Sequence, residues 1–439
     1  MSKRKVPLAA ATRRDLEAER LARLCGSATL TLGELAGSIK DGLMAFCCTA
    51  GLLVVDQLME EELTERIGPR GRHDPDRIAT RNGTASGFAV LGGRTVPIRR
   101  PRASRAGGGE VHLDSYEVLS STDLMTEIAL ERMLAGVATR RHCLVSDPIG
   151  EELEAIARGD SRAAVSRRFV SATAARLAEL LGRDLSGLEV AVLMIDGIVF
   201  AKCCCVVALV VTTDGTKVPV GLWDGDTENA TVVKDLLADL VARDLSYEEG
   251  ILCVLDGSKA LASGVRRVFG KHAVIQRCTL HKRRNLGDYL PKDLAKATDN
   301  KLARAFNDDD WRRGLRVAKG IASQLEQEHP SAAGSLREGL EEMFTVRRLG
   351  VPDRLARTMS CTNSIESMIS VVRDLSGRVK NWRDATMVRR WVGTGMLEAE
   401  RSFRRVRGCK DMAVLVKAVR AEVATRLEAS SEEAGHAVA

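Results

Sequence analysis

The spacing of apolar and polar residues changes character several times along the chain. Between residues 15 and 66, Leu, Ala and Met recur at intervals of three and four with no proline, which predicts helix. Residues 87–102, "GFAVLGGRTVPIRRPR", form two short β-prone runs around Gly92-Gly93, the signature of a hairpin. "ASRAGGGE" (103–110) reads as a flexible joint. Residues 122–183 return to helical spacing, in pieces separated by "VSDPIG" and "RGDS".

From residue 188 the pattern turns to near-continuous apolar runs. "LEVAVLMID" (188–196), "CCVVALVVTT" (204–213) and "KVPVGLW" (217–223) predict three strands in a meander, the last two joined by the turn at 213–216. Helix 228–243, strand "GILCVLD" (250–256), helix 258–269, strand "HAVIQRC" (272–278) and a helix from Leu280 follow. Strands this apolar belong to a sheet covered on both faces. Residues 291–357 are charged, alanine-rich and helical, without β-runs, so they interrupt the β-type core. A last helical region runs from Thr362 to about Leu427.

Composition narrows the picture. With Lys+Arg at 66 against Asp+Glu at 59, the net charge is +7, so a nucleic-acid partner has to be met by local patches. The 11 cysteines fall in runs and inside apolar stretches, as small buried hydrophobes do in a reducing cytoplasm. The longest apolar stretch, Gly42 to Val55, is broken by Thr49 and ended by Asp56, short of the roughly 18–20 residues of a membrane span. No signal-peptide pattern is visible at the start.

Acidic residues then stand out at the strand ends. Asp196 and Asp256 each close an apolar strand and are followed by glycine; carboxylates leaving one edge of such a sheet converge beyond it. Either Asp-Gly alone is an ordinary turn. Two divalent cations clamping a phosphodiester need a third hard ligand, and Glu366 is the best candidate. In its helix, Ile365, Met368, Ile369, Val372 and Leu375 form one apolar stripe, with Glu366 and Arg373 together on one edge of it. The same letters also fit a surface Glu and Arg beside a core stripe.

Two other stretches carry candidate chemistry. "SRAAVSRRFVSATAARLAELLGR" starts with a Ser and carries Arg162, Arg167 and Arg168 near its N-terminus, as the recognition helix of a helix-turn-helix would, or as an ordinary amphipathic helix would. "QRCTLHKRRNL" (276–286) places Cys278 three before His281, followed by Lys282, Arg283 and Arg284. A structural zinc site needs a second such pair, and none matches. A Cys-His nucleophilic dyad would need a third orienting group and an oxyanion hole, which are not apparent.

Together, "DGTKVPVGLWDGDTENA" (214–230), "LDGSKAL" (255–261), "QRCTLHKRRNL" and "TNSIESM" (362–368) resemble the mutator-type insertion-sequence transposases of bacteria, a DDE family. "RNG" (81–83), "PRASR" (101–105) and "MLAGVATRRH" (133–142) are similar to its upstream signatures, so the resemblance covers about residues 80–410. The spacing agrees: Asp256 lies 60 residues after Asp196, and Glu366 lies 110 after Asp256, across the helical interruption this family carries.

The resemblance implies an α/β fold: an RNase H-like catalytic core with a mixed five-stranded sheet, interrupted by an all-helical insertion and preceded by mainly helical DNA-binding domains. The expected division is a helical region with a basic hairpin (1–110), a helix-turn-helix-like DNA-binding domain (111–185), the first part of the core (186–290), the insertion (291–357) and the rest of the core with a helical C-terminal region (358–439). It also implies that Asp196, Asp256 and Glu366 bind two Mg²⁺, with Mn²⁺ able to replace them. Arg373 would stabilise the transition state, and His281 would hydrogen-bond near the scissile phosphate or the acids. Lys282, Arg283 and Arg284 would meet DNA at the mouth of the site, and Arg162, Arg167 and Arg168 would read terminal inverted repeats. Double-stranded DNA, both element ends and target, is the expected partner, with a homodimer assembled on two ends. A structure-selective nuclease on the same fold, or an inactive DNA-binding derivative, would share much of this pattern.

Overall fold

The computed structural model describes residues 43–71, 77–146, 149, 151–200, 203–225 and 229–438. Residues 15–42 of the expected N-terminal helical region lie outside them. The chain divides into two compact units, one ending at Ala172 and one beginning at Thr173.

In the first unit, helix α1 (Leu43–Ile67) packs Val55, Met59, Leu63 and Ile67 against an antiparallel hairpin of β1 (Ala79–Leu91) and β2 (Arg94–Arg105). The turn is Gly92-Gly93, both at positive φ (55° and 74°), the conformation that a two-residue hairpin turn of this hand requires. The expected basic face of the hairpin is partly neutralised: Glu110 pairs with both Arg100 and Arg102. The buried Glu62 of α1 accepts the backbone N–H groups of Asp114 and Ser115 at 2.8 and 2.9 Å, so it caps helix α2 (Asp114–Ser120). Helices α3 (Asp123–Leu134) and α4 (Glu151–Ile156) follow, and α5 (Arg162–Leu181) begins in this unit and ends in the next. Residues 103–110 do not separate two cores. Val111 and Leu113 share the apolar cluster of α1 and the hairpin, and Thr95 and Arg158 exchange backbone hydrogen bonds at 2.8 Å.

The second unit is built on a five-stranded mixed sheet in the order β5-β4-β3-β6-β7. Strands β3 (Val190–Phe200), β4 (Cys203–Thr212) and β5 (Lys217–Gly225) form the antiparallel meander. Helix α6 (Ala230–Ala242) leads to β6 (Ile251–Leu255), which pairs parallel with β3. Helix α7 (Lys259–Phe269) leads to β7 (Ala273–Arg277), parallel to β6. Alternation along β3 sorts the two faces: Leu193 and Ile195 pack on α6 and α7, while Val192 and Met194 face the opposite helical layer.

After β7, α8 (Thr279–Gly287) opens a stretch with no strand: α9 (Lys292–Phe306), α10 (Trp311–Leu325), α11 (Pro330–Arg337), α12 (Thr345–Arg348) and α13 (Asp353–Met359). Helices α9 to α11 have their own core around Leu302, Phe306, Leu336 and Phe344, and Leu286 of α8 joins it. The chain returns to the sheet through a buried polar seam. Gln276 of β7 donates to Met343 O (2.9 Å) and accepts from Val346 N (2.9 Å), and Thr345 Oγ1 donates to Ile275 O (2.8 Å). Each buried polar group in the seam is satisfied, as a low-dielectric interior demands.

Helix α14 (Asn363–Ser376) then lies across β3 with Ile365, Met368, Ile369 and Val372 buried, the stripe anticipated from the sequence. Helices α15 (Ala385–Arg401) and α16 (Met412–Val438) complete that layer. No helix among the described residues is long and apolar enough to cross a membrane. The cysteines of the described residues are free thiols.

Candidate active site

The carboxylates of interest leave one edge of the sheet, Asp256 and Glu366 by the routes expected and Asp196 by another. Asp196 does not end its strand. β3 continues to Phe200 because residues 197–200 still pair with Cys203–Val206 of β4, whereas the parallel partner β6 stops opposite Ile195. Asp196 is therefore the first residue of β3 beyond the parallel ladder. By strand parity it points to the face of Met194, the face covered by α14. Asp256 follows the last residue of β6, and its Oδ1 accepts the N–H of Ser258 at 2.7 Å. Ser258 in turn caps α7 by accepting from Leu261 N, so the loop after β6 fixes the carboxylate.

Glu366 sits in the first turn of α14. Its Oε1 accepts from the Thr362 hydroxyl at 2.7 Å and lies 3.7 Å from His281 Nε2, and its Oε2 lies 3.6 Å from an Arg284 guanidinium nitrogen. Asp196 responds to this neighbourhood. Burial first, with the negative charges of Asp256 and Glu366 adding to it, pushes its carboxyl up to about 6, against the opposing Gly197 N–H bond and the nearby His281. Three carboxylates from three elements thus share one electrostatic environment.

Cys278 and His281 are bound into the same network. Cys278 is the N-cap of α8, its sulfur receiving the His281 N–H at 3.5 Å. Thr362, fully buried, reaches both: its Oγ1 is 3.4 Å from Cys278 Sγ and 3.2 Å from His281 Nδ1. A hydroxyl has one proton, and the 2.7 Å contact directs it to Glu366, which leaves the Thr362 oxygen to accept from His281 Nδ1–H. The Cys278 sulfur foremost, then the charges of Glu366 and Asp196, push His281 up to about 9 against its burial, so the imidazolium form fits this bonding pattern.

Among the described residues, the one group of three Cys, His or carboxylate ligand atoms all within 4.8 Å of one another is Cys278, His281 and Glu366. That is one donor short of a closed structural zinc site, and the sulfur already serves as a helix cap. Hard oxygen donors from Asp196, Asp256 and Glu366 instead suit Mg²⁺ or Mn²⁺, and a cation there would offset both the burial and the lesser mutual repulsion that raise Asp196.

The remaining predicted residues are distributed unevenly. Arg373 is exposed on α14, two turns beyond Glu366. Of the basic trio on α8, only Arg284 faces the acids and solvent. Lys282 is not at the mouth of the site: it is buried, and its Nζ donates to Ser335 O of α11 at 2.6 Å. Arg283 forms a bidentate pair with Asp299 of α9 at 2.7 and 2.6 Å. Both tie α8 to the helical insertion because α8 turns that flank toward it. In the first unit, Arg162 and Arg167 are exposed on α5, while Arg168 is turned inward onto the Gly159 carbonyl. The residue sequence reasoning passed over is Thr362. It stands just before α14, makes no side-chain capping bond there and orients Glu366 instead.

These observations define a class: an α/β protein whose mixed sheet gathers carboxylates from two strands and a crossing helix at one edge. Residues 33–405 match the family described as Transposase, Mutator family, and the chain belongs to that family. It is 28% identical over 197 residues to the transposase for insertion sequence element IS6120 of Mycolicibacterium smegmatis, covering 44% of this chain and 59% of that protein. It is 28% identical over 183 residues to the transposase for insertion sequence element IST2 of Acidithiobacillus ferrooxidans, covering 41% and 60% respectively. A probable transposase for an insertion sequence element of Corynebacterium diphtheriae is 26% identical over 212 residues, covering 47% and 60%. The chain thus spans less than two thirds of the length of these relatives.

Proposed function

We propose that this protein is the DDE transposase of an insertion sequence, which binds terminal inverted repeats in double-stranded DNA and catalyses metal-dependent strand cleavage and strand transfer. The observation that carries the proposal is that Asp196 and Asp256 follow the paired residues Ile195 and Leu255 of adjacent parallel strands, with Glu366 on the helix that crosses that sheet. A meander followed by two parallel crossover strands, with a helical stretch before the last acid, supports an RNase H-like core with an insertion at 291–357.

Asp196, Asp256 and Glu366 would hold two divalent cations, Mg²⁺ or Mn²⁺, whose chemistry is to activate an attacking hydroxyl and neutralise charge on the phosphodiester. The chain's own residues do the rest. Thr362 orients Glu366, and His281 places positive charge beside it. Arg284, exposed next to Glu366, is positioned to meet a phosphate oxygen, and Arg373 extends the same helix edge. Arg162 and Arg167 are the readers proposed for the terminal repeats. A homodimer would bring two element ends together.

Asp256→Asn should abolish Mg²⁺-dependent cleavage and strand transfer on duplexes from the ends of the element while leaving DNA binding nearly unchanged. Undiminished cleavage would overturn the assignment. Cleavage by the unaltered protein without any joined product would favour a nuclease on this fold.

A further inference from the structure

Away from the acids, the second unit carries a groove of about 810 Å³. Its walls are α13, the first turns of α14, the loop between α15 and α16, and the head of β5. Six cations line it, Lys217, Arg354, Arg357, Arg404, Arg405 and Arg407, against a single lining carboxylate, Asp353. Asp353 is held by Arg357 at 2.9 Å and by Arg347 at 2.7 Å, and Arg405 is paired with Asp214 at 2.9 Å. Arg354, Arg404 and Arg407 are exposed and have no carboxylate partner among the described residues. Lys217 places its ammonium 4.6 Å from the Phe403 ring centroid, a cation–π contact that leaves its charge uncancelled.

The loop bearing three of these arginines is anchored. Val406 N donates to Gly215 O at 2.9 Å, and Thr358 Oγ1 donates to Arg407 O at 3.0 Å. Gly408 adopts φ +84°, and a Cβ there would come within 2.7 Å of Leu355 N, so the loop backbone lies directly on α13. The cations therefore project from a fixed floor.

The lining touches both edges of the sheet. It includes Asn363 and Ser364, next to the Thr362 that holds Glu366. It also includes Lys217, paired with Val211 beside the β4–β5 turn, at the edge of the sheet where β3 begins. Cations spread in this way over three chain segments match a repeating polyanion; a small anion would need them to converge on one point. We propose that this groove carries the phosphate backbone of duplex DNA away from the phosphodiester held at Asp196, Asp256 and Glu366. The inference rests on the reading of the chain as a transposase and adds to it a path for the substrate.

The test is salt-dependent binding of the full chain, with Mg²⁺, to a fluorescent duplex of about 30 base pairs, long enough to run past the site. Replacing Arg354, Arg404 and Arg407 together by Gln should lower the slope of log K against log[salt] by about 2–3 and weaken binding about tenfold or more at physiological salt. Lys at the same three positions should restore the slope, which separates charge from misfolding. As a control of equal charge, Gln at Arg304, Arg312 and Arg316 in the insertion should change the slope by less than about 1. An unchanged slope in the groove variant, or an equal loss in the control, would overturn the groove while leaving the transposase reading intact. If the unaltered protein bound no duplex at all, both would fall.

Discussion

The Thr362 hydroxyl donates to Glu366 Oε1 at 2.7 Å while its oxygen sits 3.2 Å from His281 Nδ1. One buried threonine therefore sets both the direction of an acid on α14 and the orientation of an imidazole on α8. Groups that orient a metal-binding carboxylate are typically worth about 10- to 100-fold in metal affinity or activity when removed. Thr362→Val keeps the shape and deletes the hydroxyl. We expect Mg²⁺-dependent cleavage to fall by about that factor, with a rise in the Mg²⁺ concentration for half-maximal rate, and Thr362→Ser to recover most of the loss. A Val variant with unaltered metal dependence would show that Thr362 only fills space.

Asp196 offers a stability test with a definite sign. Its carboxyl is raised from 3.8 to about 6, chiefly by burial. A raised carboxyl contributes stability that is fully present below the unfolded value and lost as pH rises through the folded one, so above pH 6 the ionised side chain weakens the fold. Asp196→Asn removes that cost and should stabilise the protein by about 1–2 kcal/mol at pH 7.5 without divalent metal, a discounted figure because the side chain retains some solvent contact. The gain should vanish near pH 4. Thermal denaturation at the two pH values checks this, and a destabilised Asn variant at pH 7.5 would contradict the stated origin of the shift. Activity should be lost regardless, so the substitution trades function for stability.

His281 is also raised, but in its case the raised value favours the charged form. Its folded value of about 9 lies above the unfolded 6.5, with the Cys278 contact as the leading cause. The stability it contributes is complete below pH 6.5 and is lost as pH rises through about 9. His281→Gln should lower the melting temperature at neutral pH and flatten its decline between neutrality and pH 9. The same protein preparations answer the zinc question by elemental analysis. We expect far less than one zinc per chain, with no change on losing His281; one zinc per chain, released by the substitution, would instead make Cys278, His281 and Glu366 its ligands.

The strands were legible because they are uninterrupted apolar runs, a pattern that a sheet covered on both faces imposes. Asp256 could be placed at a strand end for the same reason. Asp196 could not, because Asp-Gly reads as a terminus locally, while the continuation of β3 depends on pairing with Cys203–Val206 across a turn. The stripe on α14 followed from helical phase alone. Thr362 was out of reach of that reasoning: its role depends on Cys278 and His281, more than 80 positions upstream and adjacent only once α8 and α14 meet beside the sheet. The basic trio on α8 failed similarly, since which of three consecutive cations faces solvent is decided by where the insertion packs.

That last difference separates Lys282 from Arg284 experimentally. Lys282 is buried with Nζ bonded to Ser335 O, and burial holds its ammonium below the usual lysine value. Lys282→Ala removes a hydrogen bond from a charged donor and leaves the Ser335 carbonyl without it, so it should destabilise the fold by about 2 kcal/mol. The salt slope of DNA binding should stay unchanged, because a side chain inside the protein displaces no counterions from DNA. Arg284, with its side chain 64% exposed beside Glu366, should behave oppositely. Arg284→Ala should leave the melting temperature nearly unchanged, since exposed ion pairs contribute little, and should lower the slope by about 0.9 if the guanidinium meets one phosphate. Parallel unfolding and salt-titration experiments on the two variants decide the matter. If Lys282→Ala lowers the slope as much as Arg284→Ala does, α8 must turn to face DNA when it binds, and the contact with Ser335 must break in the complex.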